Sequence, residues 1–282
     1  IVFSNRGARM ESVTYGKRKI ELVAGKEKHP VNGYLDFPLY TSRDELLKGS
    51  ALDKELWELR SASATAVSYA TALTIAGKPA ELVKTYTFNE KGYYFDLSYR
   101  ITNLAKDAID IPAGTLRIAT PDFLGPVLKN YEGNYNAPSS VYVEADSDSL
   151  DKGTKGGGIF SKAVDVGEAK KVKWAGVMSR FFTLALLPQN FTAEAAEWDG
   201  RKETKTFRTA LVLGAETIAA GASTEKNVKV ALAEKNKEIL VSVDKSLKPG
   251  ADVNKWIEPI RFGVMWLLLW INKFIGNFGV SI

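Results

Sequence analysis

Polar and apolar residues alternate along most of this chain. The cleanest stretch is Tyr93–Thr102, where Tyr93, Phe95, Leu97, Tyr99 and Ile101 alternate with Tyr94, Asp96, Ser98, Arg100 and Thr102. A period of two sends successive side chains to opposite faces, so this stretch predicts a half-buried β-strand. Asn89-Glu90-Lys91-Gly92 reads as the hairpin turn before it, and Leu82–Phe88 as its partner strand. Val67, Tyr69, Thr71, Leu73 and Ile75 alternate in the same way before a turn at Gly77-Lys78-Pro79. Further strands are predicted at Ile1–Phe3, Ser12–Tyr15, Lys19–Val23, Ile109–Thr120, Val141–Glu144, Val172–Val177, Phe181–Leu187, Thr192–Trp198, Thr206–Leu213 and Asn227–Ala233. Thr209–Leu213 is nearly all apolar, as a strand buried on both faces is. Roughly fifteen short strands with closely spaced turns predict a sandwich or barrel. No regular alternation of strands with helices supports a parallel sheet. Ser42-Arg43-Asp44-Glu45 has the form of a capping box before Leu46-Leu47, and Leu52, Leu56 and Leu59 follow at helical spacing; Lys48-Gly49-Ser50 interrupts the pattern, so only a short helix or turn is predicted there.

Near the end the period changes. Ile239, Leu240 and Val243 have helical spacing within Glu234–Leu247, and Lys248-Pro249-Gly250 reads as a breaker. From Trp256 to Ile275 the residues Trp256, Ile260, Val264, Leu267, Ile271 and Phe274 share one helical face. Glu258, Arg261 and Asn272 share the other. Pro259 suits a first helical turn. A helix from there to Ile275 is about 25 Å long at about 1.5 Å per residue, short of the roughly 30 Å hydrocarbon core of a bilayer. It also carries Arg261, Asn272 and Lys273. Three of the six Trp, at 256, 266 and 270, lie in this segment, a content that suits a headgroup interface. The periodicity fits a buried core helix equally. At a membrane, Trp256, Ile260, Val264, Trp266, Leu267, Trp270, Ile271 and Phe274 would meet lipid, and Arg261 and Lys273 would meet phosphates.

Composition narrows the chemistry. Apolar residues are 45% and charged residues 25% of the 282, ordinary values for a chain with a sizeable core. The net charge of +5 is scattered, without a long basic run, which speaks against a nucleic-acid partner and fits a weak attraction to anionic lipid. There is no Cys, which excludes disulfides, thiolate nucleophiles and Cys-based metal sites. The one His, His29, lies in the loop-like stretch Lys26–Asp36, so a multi-His metal site is excluded as well. Lys155-Gly156-Gly157-Gly158 lacks the spacing and the strand–helix frame of a phosphate loop and reads as an exposed turn. No catalytic, metal or cofactor site is expected. The chain opens on Ile1 rather than Met and reads as a piece of something longer.

Several stretches, in order, resemble the large extracytoplasmic domain of the YidC family of bacterial membrane protein insertases. Tyr86–Asn103, YTFNEKGYYFDLSYRITN, is similar to a hairpin of that family. Phe123-Leu124-Gly125-Pro126 stands where a Gly-Pro motif is expected. Trp174–Pro188, WAGVMSRFFTLALLP, resembles a strand pair of the family, with Phe182 in an aromatic place and Phe181 where Tyr is usual. Trp266–Ile282, WLLLWINKFIGNFGVSI, resembles an interfacial helix and the entry to the next transmembrane helix, with Phe278 in place of Trp.

The resemblance implies a β-supersandwich, similar to galactose mutarotase-like folds, held in the periplasm by an inner-membrane protein. It implies a bilayer, nascent membrane proteins and the Sec translocon with its accessory subunits as partners, and a non-catalytic supporting role. The expected layout is a β domain at 1–233, a short helix and linker at 234–255, an interfacial helix at 256–275 and a transmembrane stub at 276–282. Gly276, Asn277, Phe278 and Gly279 form the hinge to that stub. Two alternatives stand beside this reading. One is a sugar- or peptide-binding module with Tyr131, Tyr135 and Tyr142 lining a cleft. The other is a sugar-processing enzyme, for which a lone loop His and no evident carboxylate pair give little support.

Overall fold

The computed structural model describes residues 1–16, 19–23, 34–89, 92–122, 124–125, 139–153, 166–179, 181–200, 208–251, 267 and 270. The chain forms two units, Ile1–Gly250 and Ala251–Ile282.

In the first unit the strands β1 (Val2–Ser4) and β2 (Arg9–Ser12) make a small antiparallel pair, as do β3 (Thr14–Tyr15) and β4 (Ile20–Glu21). β5 (Leu39–Tyr40) leads to helix α1 (Arg43–Lys48) and a 3-10 turn at Ala51–Asp53. Four strands follow as a meander: β6 (Glu58–Ala62), β7 (Ala66–Ile75), β8 (Lys78–Phe88) and β9 (Tyr94–Asn103). Next come β10 (Ile109–Ile111), β11 (Arg117–Ala119), β12 (Ser139–Glu144), β13 (Asp151–Lys152), β14 (Val166–Met178) and β15 (Phe182–Pro188). The remaining strands are β16 (Ala193–Asp199), β17 (Arg208–Val212), β18 (Glu216–Ile218) and β19 (Ser223–Glu234). Helix α2 (Lys237–Val243) and a 3-10 segment at Lys245–Ala251 complete the described run.

The predicted alternation is visible in the burial. Phe95, Leu97, Tyr99 and Ile101 of β9 face inward, and Ala80, Leu82, Lys84 and Tyr86 of β8 share that face. The β7–β8 turn is Ala76-Gly77, both with positive φ (50° and 75°), the two-residue geometry that matches strand twist. The turn is thus one residue earlier than the sequence suggested, and β8 already includes Lys78 and Pro79. β17 is buried along its whole length, as its apolar run predicts. β18 is too short to show a period, and the sequence reading did not find it.

α1 is capped by Ser42, whose hydroxyl accepts from the Glu45 amide at 3.2 Å. The Glu45 carboxylate bonds the Thr41 amide at 2.6 Å, so the reciprocal half of a box is missing there. A complete box forms instead at the following turn, between Ser50 and Asp53. Lys48-Gly49-Ser50 does end the helix, with Gly49 at φ 80°. Lys248-Pro249-Gly250, expected as a breaker, lies inside the closing 3-10 segment.

One large sheet runs β5-β11-β17-β16-β14-β15-β19-β9-β8-β7-β6, with β12 and β13 branching from β14. β14 serves both groups of strands. Its first half, Val166–Val172, pairs with β16, and its second half, Ala175–Met178, pairs with β15. Lys171, near the end of the first half, has φ 48°, and the register slips against β12 just beyond it, between Val172 and Trp174. That irregular step lets one strand change partners. A single apolar core links the two groups, from Leu82, Leu97 and Ile101 to Ala196, Leu211 and Ile118. The chain after β19 is tied to the middle of this sheet. Trp174 Nε1 donates to Ser246 O at 2.9 Å, and Thr183 Oγ1 donates to Gly250 O at 3.0 Å.

Gly176 in β14 faces the β15 backbone so closely that a Cβ would collide with the Leu184 carbonyl oxygen and stand 2.9 Å from Ala185 Cα. Gly176→Ala is expected to cost about 1–3 kcal/mol by overpacking the sheet, read as a lower urea midpoint at unchanged slope.

Candidate functional site

Two features of the first unit invite a functional reading, a buried cluster of ionisable side chains and an open aromatic groove. The cluster sits on the inner face of β8 and β9. Lys84 is in phase with Leu82 and Tyr86 and pairs in register with Tyr69 and Tyr99, so its strand drives it into the core. It is 1% exposed. Its ammonium donates to the main-chain carbonyls of Ala8 (3.1 Å) and Asp36 (3.0 Å). The Tyr86 hydroxyl donates to the same two carbonyls, at 2.7 and 3.4 Å, and the Tyr99 hydroxyl donates to Phe37 O at 2.7 Å. Ala8 (φ 45°) and Phe37 (φ 57°) hold left-handed conformations that L-residues with side chains disfavour. The Trp57 and Tyr86 rings, 5.9 and 5.1 Å from the ammonium, add cation–π attraction.

Around this clamp lies a second ring of charge. Arg208 Nη2 donates to the Asp36 carboxylate at 2.8 Å, and Arg208 also pairs with Asp122. The Arg9 guanidinium lies 3.7 Å over the Tyr34 ring. Burial, and then the Asp36 and Asp122 charges, hold the Tyr34 hydroxyl well above the usual phenol range. Burial lowers Lys84 to about 7, against the pull of Asp36 and Asp53. Burial, and then Asp36, raise Asp53 to about 7, even though Asp53 accepts from the Tyr40 hydroxyl (3.0 Å) and the Ser50 amide (2.9 Å). A lysine titrating near neutrality has the property wanted in a base or nucleophile. Here its protons point at main-chain carbonyls and it has almost no solvent contact, so the arrangement fastens the N-terminal segments to the sheet.

The groove opens beside this cluster, at the end of the sheet nearest β6. Its volume is about 710 Å³. One wall is the inner face of the meander, with Val67, Tyr69, Phe88 and Phe95. The other is the N-terminal layer, with Phe3, Met10, Val13, Tyr15 and Leu22, and the rim carries Ile1, Leu59, Ala62 and Tyr93. Phe3 packs edge-on to Tyr86 and Phe88, with ring centres 5.1 and 5.8 Å apart, and Tyr15 packs edge-on to Phe182 at 5.1 Å. Neither feature was anticipated from the sequence. Lys84 left a signal, a charge in the apolar phase of a strand; the groove left none, because its walls come from stretches far apart in the chain.

The residues predicted to form the site belong almost entirely elsewhere. Trp256, Ile260, Arg261, Val264, Trp266, Ile271, Lys273, Phe274 and the hinge at Gly276, Asn277, Phe278 and Gly279 lie outside the described residues. So do His29, Tyr131, Tyr135 and the 155–158 turn. Leu267 and Trp270 are described. Both are helical, and they are 46% and 51% exposed. Tyr142, proposed as a cleft residue, stacks on Trp198 with ring centres 5.3 Å apart and does not line the groove. Among the described residues, no helix is long and apolar enough to cross a membrane.

A family model described as the YidC periplasmic domain matches residues 11–275. A membrane protein insertase YidC from Syntrophus aciditrophicus is 24% identical over 273 residues, covering 96% of this chain and 47% of the relative. One from Ralstonia nicotianae is 25% identical over 248 residues, covering 88% of this chain and 41% of the relative. The chain thus spans less than half the length of these two relatives. Among solved structures, a galactose mutarotase-like protein from Lactobacillus casei superposes with a TM-score of 0.53 at 14% identity, covering 82% of this chain and 96% of that one. A GalM/aldose epimerase homologue from C. elegans gives 0.52 at 11%, covering 82% and 94%. At such identity the likeness concerns the fold alone, and it bears out the expected supersandwich.

The two shifted groups give the stability profile opposing slopes on either side of neutral pH, so their joint contribution is smallest there. Asp53 titrates higher folded than unfolded, so the folded chain holds more protons between about pH 4 and 7, and stability falls as pH rises through that window. Lys84 titrates lower folded than unfolded, so the folded chain holds fewer protons between about pH 7 and 10, and stability rises there. Thermal unfolding across this range should show Asp53→Asn flattening the falling limb and Lys84→Met the rising one. Limbs unchanged in both variants would show that these groups do not set the profile.

Proposed function

The chain belongs to the YidC periplasmic domain family, and from that premise we propose that it is the non-catalytic periplasmic part of an inner-membrane insertase. The observation that carries the proposal is a family match over nearly the whole chain, together with a β-supersandwich whose most perturbed ionisable groups are committed to internal bonds. The whole protein then assists insertion and folding of membrane proteins, alone or with the Sec translocon, and this domain supplies scaffold and partner-binding surface. In this reading the segment 256–275 lies along the bilayer surface. Trp256, Ile260, Val264, Trp266, Leu267, Trp270, Ile271 and Phe274 face lipid, Arg261 and Lys273 meet headgroups, and Gly276–Gly279 turns the chain into the membrane. The half-exposed Leu267 and Trp270, three apart and so on one side of a helix, support that orientation. The mutarotase-like fold does not by itself bring sugar chemistry.

Flotation with vesicles containing anionic phospholipid tests the membrane role. The native chain is expected to float. The double variant Leu267→Asp/Trp270→Asp, altered at exposed positions, is expected to lose about ten-fold in bound fraction. Equal flotation of both, or of neither, would remove the helix from the proposal. In cells depleted of their own insertase, the full-length protein with the same pair of changes should support insertion less well than the unaltered one. Loss of co-isolation with Sec subunits on deleting 1–250, with insertion intact, would separate the Sec contact from the insertion role.

A further inference from the structure

We propose that the groove and the outer edge of β6 together bind an extended polypeptide segment with apolar residues at alternate positions. β6 is the last strand of the large sheet, and all five of its residues are exposed. The Trp57 amide, just before it, donates to Asn5 O, and Leu56 bridges Arg6. From Glu58 to Ala62, no main-chain partner other than β7 occurs among the described residues. A row of unpaired amides and carbonyls is a template for another backbone, whereas an acyl chain or an apolar small molecule has no groups to satisfy it.

The groove begins where that edge does. Leu59 and Ala62 of β6 line it, and the aromatic floor continues from them. A strand added beside β6 sends every second side chain toward this floor and the others to solvent. Five residues of edge span about 17 Å at about 3.3 Å each, so the segment is short. The volume lies within the roughly 300–1,000 Å³ usual for ligand sites. Of seven large apolar side chains exposed among the described residues of the first unit, Ile1, Leu59 and Tyr93 line the groove, and Val2 and Leu56 are close by in sequence. Charge speaks against an acidic occupant. Arg60, the cation on the edge, is already paired with Glu58 (3.4 Å) and Glu81 (2.5 Å), which leaves these three groups with one negative charge in excess. The identity of the natural occupant rests on the function proposed above: an apolar stretch of a membrane protein not yet assembled.

The test uses a fluorescent ten-residue peptide of alternating Leu and Ser, titrated with the intact chain and read by anisotropy. Two further peptides carry backbone N-methyl groups on every second residue, one set in each phase. Strand addition uses one edge of the peptide, so one phase should lose about ten-fold or more in affinity while the other binds as the parent does. Leu59→Asp and Tyr93→Ser, both at exposed positions, should weaken the parent about ten-fold without lowering the thermal midpoint. The proposal is overturned by no binding, by equal binding of both N-methylated peptides, or by an unaffected Leu59→Asp. Displacement of the peptide by a fatty acid together with equal N-methyl phases would make the groove a lipid site. Dimerisation through β6 that excludes the peptide would give the edge to a second copy. If phase-dependent capture holds while cells insert membrane proteins without this domain, the occupant is not a client awaiting insertion and the groove assignment survives. No capture alongside insertion that depends on this domain would remove the groove and leave the supporting role.

Discussion

The N-terminal layer of this protein is held by hydrogen bonds from three core side chains to main-chain carbonyls. Lys84, Tyr86 and Tyr99 project from the inner face of β8 and β9 and take hold of Ala8, Asp36 and Phe37. Two of those three residues are in left-handed conformations, each of which costs of the order of 1–3 kcal/mol unless its surroundings impose it. The clamp imposes them. A carbonyl buried there without a donor would be costly, so the donors and the bent backbone depend on each other. The groove is a by-product of the same constraint. Its second wall, Phe3, Met10, Val13 and Leu22, stands opposite the meander because the layer is fixed at that distance.

The placement of charge follows the same logic. Asp36 gives its carbonyl to Lys84 and its carboxylate to Arg208, which also reaches Asp122. Ion pairs of this depth contribute less to stability than their geometry suggests, because both partners are stripped of water. Their effect is positional. They connect β17, near one end of the strand order, with the layer clamped by β8 near the other. A purely apolar contact would tolerate a sliding layer; directional bonds from both sides do not.

How much of this was legible depends on the length of each pattern. β7, β8 and β9 each run ten or more residues, so a period of two is unmistakable in them, whereas β6, the first strand of the meander, shows no alternation, and its Leu59 instead falls at helical spacing with Leu52 and Leu56. β17 showed itself by continuous apolarity. β18, of three residues, had no room for a period. The capping signal was read at Ser42 and Glu45, but the reciprocal pair formed at Ser50 and Asp53, because Glu45 found a better donor in the Thr41 amide. Lys84 was passed over although it occupies an apolar phase, since one charge in a strand is usually read as an outward residue. The residues predicted to meet the membrane were chosen for amphipathic spacing, which records a face without saying what covers it. Leu267 and Trp270 are the two for which a helical, exposed setting is described.

The way the chain leaves the β domain has a mechanical consequence. Ser246 and Gly250 are fastened to Trp174 on β14 and Thr183 on β15, in the interior of the strand order rather than at an edge. β14 in turn is shared by both groups of strands. A pull travelling back along the polypeptide from residue 251 therefore reaches first the side-chain bonds of Thr183 and Trp174, and through Trp174 a strand with three partners among the described residues. Such a tether acts on the interior of the sheet and not on a free border.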